Sequence, residues 1–167
     1  MLAGNTLLYG ATGGRLHIAG RVGGRFAVRN SGAVAVVEGT GGHACEYMTS
    51  GTVVILGDFG RNLGAGMSGG QAFVYDPQER LKTRLNPDLV AADRLGKAEA
   101  ATLRRLVEEH LELTGSARAK ALLGDWETTL RDFKRVHPKG NVARLEEEHE
   151  GSGQEADEEA APVAASE

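Results

Sequence analysis

The sequence predicts an all-β solenoid with a helical extension, and three observations indicate this fold class. Glycine makes up 24 of the 167 residues, and most of these glycines lie in residues 1–76. That half repeats with a period of 18–19 residues, whereas the second half has helical hydrophobic periodicity. We therefore expect a right-handed parallel β-helix of about four coils over residues 5–76, flanked by two or three C-terminal helices.

The period is set by two columns of glycines that recur in register. The leading glycines are Gly13, Gly32, Gly51 and Gly69, and the closing glycines are Gly20, Gly39 and Gly57. Two apolar columns run beside them, formed by Leu16, Ala35 and Val53 and by Ile18, Val37 and Ile55. Within one coil, the residue of the first column and the residue of the second column lie two positions apart, so both side chains are on the same face of the strand.

Each period also contains a second apolar column, formed by Tyr9, Val28, Tyr47 and Ala65. Two short extended stretches per period, ended by small residues, are typical of stacked coils, and glycine at those ends permits positive φ and close backbone approach. An antiparallel sandwich or barrel with glycine-rich hairpins is the alternative. It predicts alternating turn types, however, whereas Ser-Gly recurs here in register.

The second half reads as an irregular connection over residues 77–96 and a helical extension over residues 97–140. A helix is predicted by the apolar positions Leu103, Leu106, Val107, His110 and Leu111. Gly115 suits its C-cap, and Ser116 suits the N-cap of a second helix. Asp125 suits the cap of a third helix, with Trp126, Leu130 and Phe133 on one side and Pro138 at its end.

Residues 141–167 read as a disordered acidic tail. Residues 146–167 carry nine acidic side chains and no Lys or Arg, whereas the rest of the chain is mildly basic. The tail is interpreted as solvated, with an autoinhibitory or partner-binding role as the alternative. The chain shows no signal-peptide pattern and no apolar run of membrane-spanning length, so we expect a cytoplasmic protein without a membrane partner.

Two short motifs suggest chemistry, and neither has the context that the chemistry needs. Residues 64–69 read GAGMSG, a literal G-x-G-x-x-G, but the strand-like QAFVYD follows where a dinucleotide site needs a helix. His43, Cys45 and Glu46 resemble a ligand cluster or a Cys–His pair without further partners. We expect Gly64 to mark a structural turn and Cys45 to be a small buried hydrophobe.

Four arginines within one coil, Arg15, Arg21, Arg25 and Arg29, form a cationic group. They are interpreted either as edge protection and solubility or as a docking surface for an acidic or cofactor-bearing neighbour. Nucleic-acid binding is not predicted, because aromatic residues make up 5% of the chain and the net charge is -4.

Residues 5–76 resemble the C-terminal domain of the glutamate synthase large (alpha) chain, and residues 102–126 continue that resemblance. The specific elements are RFAVRNSGA (25–33), CEYMTSG (45–51) and the G-x-x-G-x-x-x-G turn at Gly57, Gly60 and Gly64. The likeness covers about residues 4–140 and leaves the acidic tail outside. A subunit of formylmethanofuran dehydrogenase has a similar solenoid, but the stretch LVEEHLELTGS favours glutamate synthase.

The resemblance implies a non-catalytic β-helix that packs between a glutaminase domain and an FMN-binding synthase domain. The whole enzyme would move ammonia from L-glutamine to 2-oxoglutarate and reduce the product to L-glutamate. FMN, an iron–sulfur cluster and the NADPH or ferredoxin donor would belong to other domains. Accordingly, no catalytic, cofactor-binding or metal-binding residue is expected in this chain.

The resemblance also implies further coils before residue 1, so the chain is expected to be a fragment or a stand-alone relic. Its first coil would then present an open strand edge that favours self-association. A stand-alone binding module that uses the four arginines for an anion or acidic partner remains the second hypothesis.

Overall fold

The computed structural model describes residues 2–140. In chain order the elements are β1 (Arg15–Arg21), β2 (Ser31–Gly39), β3 (Ser50–Ile55), β4 (Gln71–Tyr75), α1 (Leu81–Arg84), β5 (Val90–Asp93), α2 (Lys97–Thr114), α3 (Ala117–Gly124), α4 (Trp126–Asp132) and β6 (Phe133–Pro138). The strands form one sheet in the order β1-β2-β3-β4-β6-β5.

Strands β1 to β4 are parallel neighbours, so the predicted solenoid is confirmed and the antiparallel alternative is wrong. Leu16 pairs with Ala35, Ala35 with Val53, and Val53 with Ala72. The two predicted apolar columns are therefore stacked as expected. The solenoid has about three turns rather than four, because residues 2–14 contribute no strand to the sheet.

Opposite the strands, each coil contains a five-residue stretch that we call the alternating segment. The four alternating segments are residues 6–10, 25–29, 43–47 and 62–66. In each, the first, third and fifth residues have positive φ, as in Arg25, Ala27 and Arg29 at 57°, 56° and 56°. Most of these residues are not glycine, although the left-handed conformation costs other residues roughly 1–2 kcal/mol each.

Backbone hydrogen bonds between coils hold the alternating segments in this conformation. Ala27 N donates to Leu7 O in the preceding coil, and Arg29 N donates to Glu46 O in the following one, each at 2.9 Å. Tyr47 N donates likewise to Ala65 O. These pairings place Tyr47 in register with Arg29, so the second apolar column is wrong at that position. Glu46 occupies the place beside Val28 and Ala65.

The sheet separates two hydrophobic cores. The inner core lies between the strands and the alternating segments, and its largest side chains include Phe26, Met48, Ile55, Phe59 and Leu63. The outer core lies between the other face of the strands and the helices. It joins Val36, Val54 and Phe73 of the sheet to Leu103, Leu106 and Val107 of α2. Side chains fill the solenoid, so its interior is packed.

Several glycines of the repeat allow coils to approach one another closely. A Cβ on Gly32 would lie 2.3 Å from Thr12 O, and one on Gly69 would lie 2.0 Å from Thr49 O. Neither glycine has a positive φ. Of the nine glycines singled out from the sequence, Gly51 and Gly64 have positive φ, and the left-handed positions fall mainly on other residue types.

The helix caps lie where the sequence places them. Gly115 ends α2 in a left-handed conformation, Ser116 Oγ accepts from Ala119 N, and Asp125 accepts from Thr128 N.

The third helix is shorter than predicted, because residues 133–138 form β6 instead. Phe133 is fully buried in the outer core, and β6 pairs antiparallel with both β4 and β5. The region read as irregular and helical thus closes one end of the sheet.

Candidate functional site

The four arginines predicted as a docking group lie on two different parts of the first coil, Arg15 and Arg21 in β1 and Arg25 and Arg29 in an alternating segment. Arg15 pairs with Glu109 of α2, and Arg21 pairs with Asp58 after β3. Arg25 and Arg29 lie in an alternating segment and are exposed, and their side chains make no hydrogen bond or ion pair within residues 2–140. The cationic group therefore divides into two structural arginines and two solvent-facing ones.

A cleft at the ends of the parallel strands collects a different set of arginines. We call it the arginine cleft; it has a volume of about 500 Å³ and is lined by Arg21, Glu38, Gly57, Asp58, Tyr75, Pro77, Gln78, Arg80 and Arg118. Consecutive coils bring Arg21, Glu38 and Asp58 to the same corner. The stretch around α1 supplies Arg80, and α3 supplies Arg118.

Asp58 organises one wall of the arginine cleft. Its Oδ2 accepts from Arg21 at 2.8 Å, and its Oδ1 accepts from Arg80 and, at 3.4 Å, from Arg84. The hydrogen bond from Arg21 is the main cause that holds the pKa of Asp58 below its usual range, and the Arg80 charge contributes further. Asp58 is therefore an ionised carboxylate that bridges three guanidinium groups.

The arginines of this wall are held by the backbone and by an aromatic ring. The buried Asp76 carboxylate accepts from the backbone N–H groups of Arg80 and Leu81, at 2.8 and 2.9 Å. The guanidinium carbons of Arg80 and Arg84 each lie 5.4 Å from the centre of the Phe59 ring. Such stacking fixes the planar groups without using their N–H donors.

The opposite wall is built on α3. Arg118 Nε donates to Leu56 O at 2.8 Å, and its guanidinium carbon lies 5.3 Å from the centre of the Tyr75 ring. Ser116 donates its hydroxyl to Glu38, which joins this wall to the second coil. Chemically, the arginine cleft can bind an anion through preorganised guanidinium groups.

The His43–Cys45–Glu46 cluster is arranged for packing. Cys45 is fully buried in the inner core, and burial raises the pKa of its thiol to about 12. A thiol in that state is unreactive near neutral pH. His43 Nδ1 lies 2.7 Å from Glu46 Oε1, so the imidazole pairs with the carboxylate.

Sequence reasoning missed a buried histidine pair between β1 and α2. The rings of His17 and His110 stack with centroids 5.5 Å apart, and their nitrogens make no hydrogen bond within residues 2–140. Carboxylate oxygens of Glu109 and Glu38 lie 3.7 and 3.8 Å from Nε2 of His17 and His110 and act against the effect of burial. Burial is the main cause that lowers the pKa of both rings. In the sequence, only His110 shows a sign of burial, because it falls on the apolar face of the predicted helix.

The arginine cleft is the candidate functional site within residues 2–140. Within residues 2–140, no group of three or more His, Cys, Asp and Glu side chains is arranged to hold a metal ion. Over the same residues, no helix combines the length and apolar character needed to span a membrane. The sequence could not reveal the cleft, because Arg21, Arg80 and Arg118 are far apart along the chain.

Comparison with known proteins identifies the family. The family model described as GXGXG motif matches residues 1–139. The chain belongs to the GXGXG motif family. It is 50% identical over 149 residues to "Glutamate synthase [NADH]" of Schizosaccharomyces pombe, a match that covers 89% of this chain and 7% of that protein.

Two further relatives match this chain with similar identities. The chain is 49% identical to the chloroplastic ferredoxin-dependent glutamate synthase of Spinacia oleracea, over 82% of this chain and 8% of that protein. It is 47% identical to ferredoxin-dependent glutamate synthase 2 of Synechocystis, over 83% of this chain and 9% of that protein. The chain thus spans less than a tenth of the length of these relatives.

The G-x-G stretch at residues 64–66 lies in the last alternating segment. Gly64 and Gly66 have φ of 69° and 67°, and a Cβ on Gly66 would lie 2.5 Å from Cε1 of Tyr47. The strand β4 follows this stretch, in the place where a dinucleotide site would need a helix. In this member of the GXGXG family, the glycines provide left-handed backbone and room for the Tyr47 ring.

Proposed function

We propose that this chain is a non-catalytic structural domain of a glutamate synthase, which makes L-glutamate from L-glutamine and 2-oxoglutarate. The observation that carries the proposal is the identity of 47–50% to glutamate synthases over most of this chain, against 7–9% of their length. The glutaminase and FMN-binding synthase domains would be its partners, in the same chain or in a separate one.

The packing of residues 2–140 supports a scaffold role. Side chains such as Phe26, Met48 and Phe59 fill the interior of the solenoid, so the coils that the structure describes enclose a solid core. The one cysteine, Cys45, is buried in that core. We infer that the iron–sulfur cluster is held by other domains, since cluster ligation requires several thiolates. We assign FMN to the FMN-binding synthase domain, because the interior of the described coils is filled by side chains.

The comparisons also support placing electron-donor recognition outside this chain. A relative named for NADH and a relative named for ferredoxin match it at 50% and 49% identity. A segment that distinguished the two donors would be expected to diverge between them. The same reasoning leaves either donor open for the enzyme to which this chain belongs.

A visible absorption spectrum of the purified chain tests the proposal. We expect no flavin or iron–sulfur absorption after reconstitution with FMN and with iron and sulfide. A stoichiometric flavin or cluster band would contradict a purely structural role.

A second experiment co-expresses the chain with a glutamate synthase that lacks the matching segment. Recovery of glutamate formation supports the scaffold, and failure of the two to associate counts against it.

The edge strand β1 is the proposed site of further pairing. Within residues 2–140, β2 is the one strand that pairs with it. On its other edge, Leu2 N and Ala3 N donate to Arg21 O at the end of the strand, and no strand pairs with the residues before Arg21. We infer that another coil of the enzyme, or a second copy of this chain, pairs there. Light scattering at increasing concentration is expected to show dimers or larger species, and a monomer throughout would contradict self-association.

A further inference from the structure

We propose that the arginine cleft is a binding site for a carboxylate group supplied by a ligand. The proposal goes beyond the scaffold role and does not depend on it. Three observations carry it: the way Asp58 is held, the outer donors of the arginines, and the volume of the cleft that these groups line.

Asp58 shows that the site accepts a carboxylate. Its two oxygens are divided between Arg21 on one side and Arg80 and Arg84 on the other. Such paired contacts match the planar shape of a carboxylate. A single carboxylate cannot neutralise three guanidinium groups, so positive charge remains at this wall.

The remaining charge comes with donors that lack partners. Arg80 Nε is buried and has no hydrogen-bond partner within residues 2–140. Because this atom has no exposed surface, the donors that a ligand can reach are the outer N–H groups of the cleft arginines. Arg118 uses Nε for Leu56 O, and stacking on Tyr75 leaves its outer N–H groups facing the cleft.

Gly57 lies on the floor of the cleft between these groups. A Cβ there would meet Glu38 O at 2.3 Å and would lie 3.8 Å from a terminal nitrogen of Arg118. The second carboxylate, Glu38, accepts from Ser116 and so is already engaged with α3. Arg80 and Arg118 both line the cleft, so the proposal places the incoming carboxylate between their outer N–H groups and leaves Asp58 where it is.

The carboxylate can belong to a small dicarboxylate or to an acidic polypeptide, and the experiment separates these sources. The full chain is titrated with 2-oxoglutarate, with L-glutamate and with an octaglutamate peptide, while side-chain Nε–H signals of arginine are followed by NMR. We expect saturable shifts of the Arg80 and Arg118 signals. Saturation by a small dicarboxylate identifies a free ligand, and saturation by the peptide alone identifies an acidic partner.

Three variants make the test specific. Arg118→Gln is expected to weaken binding by at least about tenfold, because a charge-assisted hydrogen bond is lost. Arg118→Lys, which keeps the charge, should restore only part of the affinity. Arg25→Gln makes the same charge change at an exposed arginine outside the cleft and should leave the affinity unchanged.

Several results would overturn the proposal. They are the absence of saturable shifts with all three probes, equal weakening by Arg25→Gln and Arg118→Gln, and tighter binding of inorganic phosphate than of any carboxylate. A thermal melt of each variant distinguishes lost binding from lost folding. Because none of these readouts involves flavin, cluster or enzyme activity, the proposal can fail while the scaffold role stands.

Discussion

The strand side and the alternating-segment side of each coil differ in backbone conformation and in what covers them. On the strand side, β1 to β4 pair as ordinary parallel strands and carry α2 and α3 on their outer face. On the other side, left-handed residues recur at every second position, and Tyr9 and Tyr47 are exposed. Both sides form hydrogen bonds from coil to coil, so stacking alone does not require β conformation.

The largest effect is expected where the strand side begins. Gly69→Ala would place a Cβ 2.0 Å from Thr49 O, and the backbones of two coils would have to separate. We expect a loss of roughly 3 kcal/mol or more in the free energy of unfolding. Gly13→Ala is the matched control, since nothing lies within 4 Å of its added Cβ. Equal denaturation curves for the two variants would contradict close approach as the reason for these glycines.

The second effect concerns the histidine pair beneath α2. Burial lowers the folded-state pKa of His17 and His110, so the unfolded chain takes up protons first as the pH falls below about 6.5. The contribution to stability is complete above that pH and is lost below it. Denaturant unfolding should give a free energy about 1–2 kcal/mol lower at about pH 5.5 than at about pH 7.5.

His110→Gln should reduce this pH dependence, whatever its effect on stability at neutral pH. His43→Gln changes a histidine of the alternating-segment side that pairs with Glu46, and it serves as the control. An unchanged slope in His110→Gln would show that the pair does not cause the acid sensitivity.

A smaller effect tests the left-handed backbone itself. Arg29→Val puts a β-branched residue at φ 56°. Arg29 already has this left-handed backbone, so the added cost comes from the branched Cβ, and we expect about 0.5–1 kcal/mol. Arg61→Val makes the same change at an exposed residue that is not left-handed, and should alter stability by less than about 0.5 kcal/mol. Similar losses in both variants would mean that side-chain loss, and not backbone conformation, is responsible.

The smallest effect is expected for the ion pair between the strand side and α2. The Arg15 side chain is 51% exposed, so its pairing with Glu109 should contribute less than about 1 kcal/mol and weaken with salt. A double-mutant cycle with Arg15→Ala and Glu109→Ala measures it. The pair Arg104 and Glu108, which lies within α2, provides the comparison. A coupling that is large and independent of salt would contradict the prediction.

The same comparison explains how much could be predicted from the sequence. Strand residues such as Leu16, Ala35 and Val53 alternate in the usual way, and the caps at Gly115 and Ser116 use residues typical of their positions. The left-handed residues include Leu8, Ala27 and Cys45, whose types give no sign of that conformation. Hydrogen bonds between coils impose this left-handed conformation, and the residue types of a short sequence segment do not show which contacts it will make with the next coil.

Long-range contacts account for the other differences. Phe133 continues the helical spacing of Trp126 and Leu130, but its pairing with Tyr75 of β4 makes it the start of a strand. The arginine cleft combines one residue of the predicted group, Arg21, with Arg80 and Arg118 from elements that a sequence scan treats separately.

The antiparallel closure by β6 has a consequence for the order of folding. Pairing between neighbouring coils brings together residues 19 apart in the sequence, such as Leu16 and Ala35. Each such pairing therefore closes only a short loop. Ala72 pairs with Val136 across the whole connection and helical region, a far longer closure. Contacts of high sequence separation slow folding. The coils can therefore assemble one upon another before β6 pairs with β4.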